Sequence, residues 1–235
     1  MDITRIVVTN PKGGCGKTTI TTNIASHYAQ LGLNVRLFDH DNQGSSLAWI
    51  KRRSDSLNLI HGVDSSKNQA HRLTRSWQLH VPIETDVAII DTPAGADILE
   101  LAALFTTSDS ILIPVLPSPI DIHATAHFIK KLLTIGKTRN KMIRLAVVAN
   151  RVRKNTIMYK SLERFLSSLN IPFISTLRDT QLYARAIEQG VGVQEINSSK
   201  LGLDKAQWAP ILRWIENSEN AESTEPMHSS TQKEK

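Results

Sequence analysis

Residues Ile6 to Thr22 read IVVTNPKGGCGKTTITT. The stretch from Arg5 to Thr9 is mostly β-branched and stops at Asn10-Pro11. Gly13, Gly14 and Gly16 follow, and Lys17-Thr18-Thr19 opens a segment with helical apolar spacing. That order predicts strand, loop and helix. Where no Cβ intervenes, backbone N–H groups can close around a polyphosphate, and the helix N-terminus adds the positive end of its dipole. In such a loop Lys17 reaches the β- and γ-phosphates and the Thr18 hydroxyl ligates Mg²⁺. The stretch reads as a triphosphate cradle; the competing reading is a glycine-rich turn with a stray lysine.

The loop departs from the ordinary GxxxxGK[ST] pattern, because counting back from Gly16 puts Pro11 where the first glycine belongs. What stands there is KGGCGKTT, with a second lysine, Lys12, ahead of the glycines. This resembles the deviant Walker A box of the ParA/MinD family of P-loop ATPases, which also includes the nitrogenase iron protein and the arsenite-pump ATPase. The resemblance implies ATP and Mg²⁺ as cofactors. It makes Lys12, Gly13, Gly14, Cys15, Gly16, Lys17, Thr18 and Thr19 the nucleotide contacts. It also implies that Lys17 acts in cis while Lys12 crosses a dimer interface to the nucleotide of the partner subunit.

The family's other signatures appear in order. A second strand, Asn34 to Phe38, runs into Asp39-His40-Asp41-Asn42-Gln43-Gly44, where the family has DxDPQG and this chain has Asn42 in place of proline. By resemblance Asp41 positions the attacking water and Asp39 supports the Mg²⁺ shell; Asp39 as a turn-former and Asp41 as a helix cap is the alternative. Asp86 to Asp91 (DVAIID) is an apolar run ending in an acid, and Asp91-Thr92-Pro93-Ala94-Gly95 resembles Walker B and switch II. There Asp91 is expected to hold Mg²⁺ through a water and the Gly95 region to sense the γ-phosphate; a cap for a helix starting near Asp97 is the bland reading of Asp91. Pro117-Ser118-Pro119-Ile120-Asp121 resembles PSPxD, and Leu177-Arg178-Asp179 with Gly190 resembles the LRD…G segment of small ParA proteins. Relatives border the adenine with an asparagine at a strand end and a nearby proline-bearing loop. That makes Asn150 and Pro117 the purine-side candidates, with strand-end capping as the alternative for Asn150.

Alternation of strands and helices, with near-continuous apolar strands, predicts an α/β fold: a mostly parallel twisted sheet with helices on both faces. A helix is expected over Gly44 to Arg53, then a short strand around Leu57 to His61 and a helix around Asn68 to Leu79. Further strands fall at Ser110 to Pro114, Arg144 to Asn150 and Pro172 to Thr176, and a last helix at Asp204 to Ile215. The expected division is a P-loop ATPase domain over 1–216 and a disordered, acidic, polar tail over 217–235.

Composition narrows the function classes. Hydrophobic residues make up 40% and charged residues 21%, which are globular values. No apolar run approaches the roughly 18 residues of a membrane span. The N-terminus enters a strand without a charged leader and apolar h-region, so a cytoplasmic protein is expected. One cysteine, Cys15, excludes an intrachain disulfide and a multi-cysteine cluster of the nitrogenase kind; it reads as a small residue between glycines, with thiol reactivity as the alternative.

Net charge is +6. Since the segment from Glu216 onward carries −3, the body before it carries +9. Between Lys130 and Arg164 stand eleven Lys/Arg and one acid, Glu163. Such lopsided charge predicts a polyanionic partner. The DNA-contact candidates are Lys130, Lys131, Lys137, Arg139, Lys141, Arg153, Lys154 and Lys160, with Arg178, Arg185 and Lys200 further on. With no helix-turn-helix prelude, nonspecific duplex DNA on the nucleoid is expected rather than sequence readout. The tail lacks both the amphipathic basic helix of MinD-type relatives and the tyrosines of the kinases that share this loop, so no membrane partner is expected. The resemblance implies an ATP-dependent homodimer, an adaptor or activator protein, and a positioned cargo such as a plasmid, a chromosome or a carboxysome. The rival reading is a metabolic or regulatory P-loop enzyme acting on an anionic small molecule.

Overall fold

A computed structural model describes residues 3–66, 81–96, 101, 104, 110–138, 144–154, 156–168 and 171–217. The helix expected over Asn68 to Leu79, the start of the one near Asp97, and all but the first residue of the expected tail lie outside these residues.

The described strands form one parallel sheet: β1 (Thr4–Val8), β2 (Val35–Asp39), β3 (Ile60–Asp64), β4 (Val87–Asp91), β5 (Ser110–Val115), β6 (Leu145–Val152) and β7 (Phe173–Arg178). Their spatial order is β3-β2-β4-β1-β5-β6-β7, so β1 lies at the centre between β4 and β5. The loop after β1 therefore emerges at the carboxyl edge between two neighbouring strand ends, where open α/β sheets bind ligands.

Because successive strand residues point to opposite faces, the apolar strands divide into two cores. Ile6, Val8, Leu37, Ile89 and Val148 pack with helices α1 (Lys17–Gln30), α2 (Ser45–Lys51), α5 (Leu182–Gln189) and α6 (Gly202–Glu216). Val7, Phe38, Ile90, Ile113 and Val147 pack with α3 (Pro119–Thr138) and α4 (Ile157–Ser168) on the other face. Trp208, Ile211, Leu212 and Ile215 are all buried, which settles the last helix as core. The expectation of a parallel sheet covered on both faces is met.

Two strands differ from the sequence reading. β3 begins at Ile60 rather than Leu57: Ile60 is the buried residue paired with Val35, whereas Leu59 is 69% exposed. β6 runs past Asn150 to Val152 by way of an irregularity in which Arg151 has a φ of 52°.

Candidate nucleotide and metal site

The P-loop is braced from behind before any ligand is considered. Asn10, buried, donates from Nδ2 to Pro114 O at 2.6 Å and to Thr125 Oγ1 at 3.1 Å, and its Oδ1 accepts from the Lys12 amide at 2.9 Å. Asn150 Nδ2 donates to Cys15 O at 2.8 Å. Gly16, with φ of 99°, lies so close that a Cβ there would sit 1.9 Å from Asn150 Nδ2. Glycine is therefore required at 16 by conformation and by space. The switch II loop is tied in as well, its Gly95 amide donating to Pro11 O at 2.9 Å.

Lys17 opens α1 directly after Gly16, and its ammonium donates to Asn10 O and Lys12 O, 3.1 Å from each. These carbonyls hold the cation at the mouth of the loop. Lys12 is partly exposed, and its ammonium has no hydrogen bond or ion pair among the described residues. Cys15 is 1% exposed, and burial pushes its thiol pKa up. The reactive-thiol reading of Cys15 is thereby disfavoured.

Beside the loop, Thr18 Oγ1 donates to Asp91 Oδ2 at 2.8 Å, and Ser46 Oγ donates to the same oxygen. Asp91 Oδ1 is buried with no partner. Burial pushes the Asp91 pKa up to about 6, with the Ser46 and Thr18 hydroxyls pulling the other way. A buried carboxylate oxygen without a donor is costly unless something cationic or a water completes it. That donor set fits Mg²⁺, which takes one hydroxyl and one carboxylate and completes its octahedron with waters and phosphate oxygens. Among the described residues no cluster of three or more His, Cys, Asp or Glu could hold a metal without such help.

The two carboxylates after β2 do not share duties as the resemblance implies. Asp39 is buried, its Oδ1 accepting from the Asp41 amide at 3.0 Å and its Oδ2 from the amides of Ser46 at 3.0 Å and Leu47 at 3.1 Å. It is Asp39, not Asp41, that caps α2. With both oxygens engaged by amides, Asp39 acts on the local backbone, and the side chains offered to a metal narrow to Thr18 and Asp91. Asp41 accepts from the Gln43 amide at 3.0 Å and is partly exposed at the carboxyl edge.

Asn150 and Pro117 lie at the ends of adjacent strands, β6 and β5. Asn150 is already committed through both ends of its amide, since its Oδ1 accepts from the Arg151 amide at 2.9 Å. Its first job here is to hold the phosphate loop, and a purine contact would have to use its second N–H.

The basic candidates separate into two sets. Lys130 and Lys131 on α3, Lys154, and Lys160 on α4 are exposed and belong to one layer. Arg185 on α5 and Lys200 are exposed in the other. Arg153 pairs with Asp179 at 2.6 Å and stays 77% exposed. Arg178 is a correction: its guanidinium grips buried Asp204 through two bonds of 2.7 Å, which makes it an internal counter-charge. Lys137 falls within α3, but its side chain is outside what is described, as are Arg139 and Lys141.

Sequence reasoning did not single out Asn10 or Ser46. A buried asparagine before Pro11 and a serine two residues after Gly44 are weak local signals. Their partners are far away in sequence.

Comparison with known proteins follows the same lines. The profile of the CobQ/CobB/MinD/ParA nucleotide binding domain matches residues 6–193. The chain is 30% identical over 198 residues to the maintenance of carboxysome distribution protein A of Halothiobacillus neapolitanus, covering 82% of this chain and 88% of that one. A Borrelia burgdorferi B31 protein assigned to plasmid partition, solved with AMPPNP, superposes with a TM-score of 0.71 at 17% identity, over 90% of this chain and 99% of its own. A variant of Cyanothece McdA solved with ATP gives 0.65 at 17% identity, over 95% and 97%. At such identities the superpositions speak for the fold.

Proposed function

This chain belongs to the CobQ/CobB/MinD/ParA nucleotide binding domain family, and from that premise we propose that it is a Mg²⁺-dependent ATPase switch that positions a cargo. The observation that carries the reading is the contact of Thr18 with Asp91 beside a loop whose two lysines are differently placed. Lys17 is folded onto the loop, while Lys12 has no partner among the described residues.

In this reading the amides from Gly13 to Thr19 and the Lys17 ammonium hold the phosphates. Thr18 and Asp91 hold Mg²⁺, which supplies Lewis-acid neutralisation of phosphate charge. Asp41 orients the attacking water, and the Gly95 loop, bonded to Pro11, reports the γ-phosphate. Asn150 and Pro117 border the purine. Lys12 reaches across to the nucleotide of a second copy, so that ATP closes a homodimer. That dimer displays the α3–α4 basic layer to duplex DNA in the cytoplasm, on the nucleoid. An adaptor protein accelerates hydrolysis and releases it. The difference in DNA affinity between nucleotide states is the coupling free energy of the switch. The name of the Halothiobacillus relative favours a protein organelle over a plasmid or chromosome as cargo.

The test is retention on nonspecific duplex DNA with ATP, with ADP and without nucleotide, at two salt concentrations. Retention with ATP alone, falling steeply with salt, is the expected result. Retention that ignores nucleotide, or turnover that depends on a small anionic metabolite instead of DNA, overturns the proposal.

A further inference from the structure

Ser46 lies in the first turn of α2 and is fully buried. Its hydroxyl and that of Thr18 both donate to Asp91 Oδ2, while Asp91 Oδ1 has no partner. Thr18 alone would leave the carboxylate plane held at one point. A second donor, from an element on the far side of the carboxylate's strand neighbour, fixes which oxygen is engaged and which is left over.

Ser46 is itself held in place, because its amide and that of Leu47 bond to Asp39 Oδ2. β2 and β4 are hydrogen-bonded neighbours in register, with Asp39 opposite Asp91. The path Asp39, Ser46, Asp91, Thr18 therefore links the end of β2, the start of α2, the end of β4 and the start of α1. Each step is a hydrogen bond to a buried acid.

We propose that Ser46 is the positioning residue of the Mg²⁺ site: its hydroxyl holds Asp91 so that Oδ1 is the oxygen left to the metal's water shell, and it makes metal affinity depend on the seating of α2. The proposal rests on the Mg²⁺–nucleotide reading above. Outer partners of ligating carboxylates act in this way, and their loss typically costs about 10–100-fold in metal affinity.

The experiment measures binding of a non-hydrolysable fluorescent ATP analogue in EDTA and across a Mg²⁺ titration, for the parent and for Ser46→Ala. The readout is the factor by which Mg²⁺ tightens binding, which needs no turnover. Ser46→Ala is expected to reduce that factor about tenfold and to raise the Mg²⁺ midpoint by a similar amount. Ser46→Cys, which keeps the volume and weakens the donor, gives a smaller shift in the same direction and serves if the alanine variant does not fold. A merely structural serine would weaken binding with and without metal alike and leave the factor unchanged. That outcome overturns the proposal. If the parent itself shows no Mg²⁺-tightened nucleotide binding, the underlying reading fails instead.

Discussion

Arg178 and Asp204 are joined by two parallel hydrogen bonds of 2.7 Å, with the Asp204 side chain fully buried and the guanidinium 42% exposed. Arg178 ends β7 and Asp204 lies in the first turn of α6, so the pair pins that helix to the sheet.

Arg178→Ala leaves a buried carboxylate without its counter-charge. Removing one partner of a buried pair typically costs about 3–5 kcal/mol, and the exposure of the guanidinium brings the expected loss here to about 2 kcal/mol. A urea midpoint measured by circular dichroism checks it. Any loss of DNA retention in this variant should track the unfolded fraction.

By contrast, Lys130→Ala combined with Lys160→Ala should leave the urea midpoint unchanged and weaken DNA retention. It should also lower the slope of log affinity against log salt by about 2. Lys200→Ala, on the opposite layer, should change neither. Equal effects from both layers would sink the assignment of the α3–α4 face.

Asn150→Ala releases the Cys15 carbonyl from its brace. Nucleotide affinity by calorimetry is expected to fall about tenfold, which is about 1.4 kcal/mol and of the size of one buried hydrogen bond. Gly16→Ala should abolish binding outright, because the new Cβ would overlap the Asn150 amide.

His27 contributes a pH dependence of stability. Burial lowers its pKa in the folded chain below the ordinary 6.5, and Glu216 at 3.9 Å partly opposes this. The unfolded chain therefore takes up the proton first. The stabilising effect of a neutral His27 is present above pH 6.5 and is lost as pH falls from there through the folded value. Asp39 and Asp91, whose pKa values are raised, act in the opposite direction, so the readout is a difference. The urea midpoint of His27→Gln should fall less than that of the parent between pH 7.5 and pH 5.5; parallel profiles would refute the assignment.

Lys12→Ala should spare nucleotide binding by a single subunit and abolish ATP-dependent dimerisation seen by light scattering. Asp41→Ala should bind ATP and persist on DNA. Hydrolysis by Asp41→Ala at the parent rate would remove Asp41 from its role.

How far these features could be read in advance depends on the range of the interactions. The loop from Pro11 to Thr19 and the strand ending at Asp91 are local patterns: spacing of glycines, an apolar run, a terminal acid. They locate the cradle and the parallel sheet with no knowledge of tertiary contacts. The division of labour between Asp39 and Asp41 was not legible, because it turns on which carboxylate meets the amides of Ser46 and Leu47. The Asn150–Cys15 bond spans 135 positions. Likewise Arg178 looked like a surface cation because Asp204, its neutralising partner, is 26 residues away.

Helix α2 is anchored at its far end too. Arg53, just beyond it, is paired with buried Glu195 and donates to Gly190 O, and a Cβ on Gly190 would sit 2.5 Å from the backbone of Arg52 and Arg53. The seven-residue rod is thus a strut about 10 Å long wedged between the phosphate pocket and the turn after α5. A bulky residue at 190 would have to shove the strut sideways, and a lesion in that remote corner would be read out as poor magnesium capture.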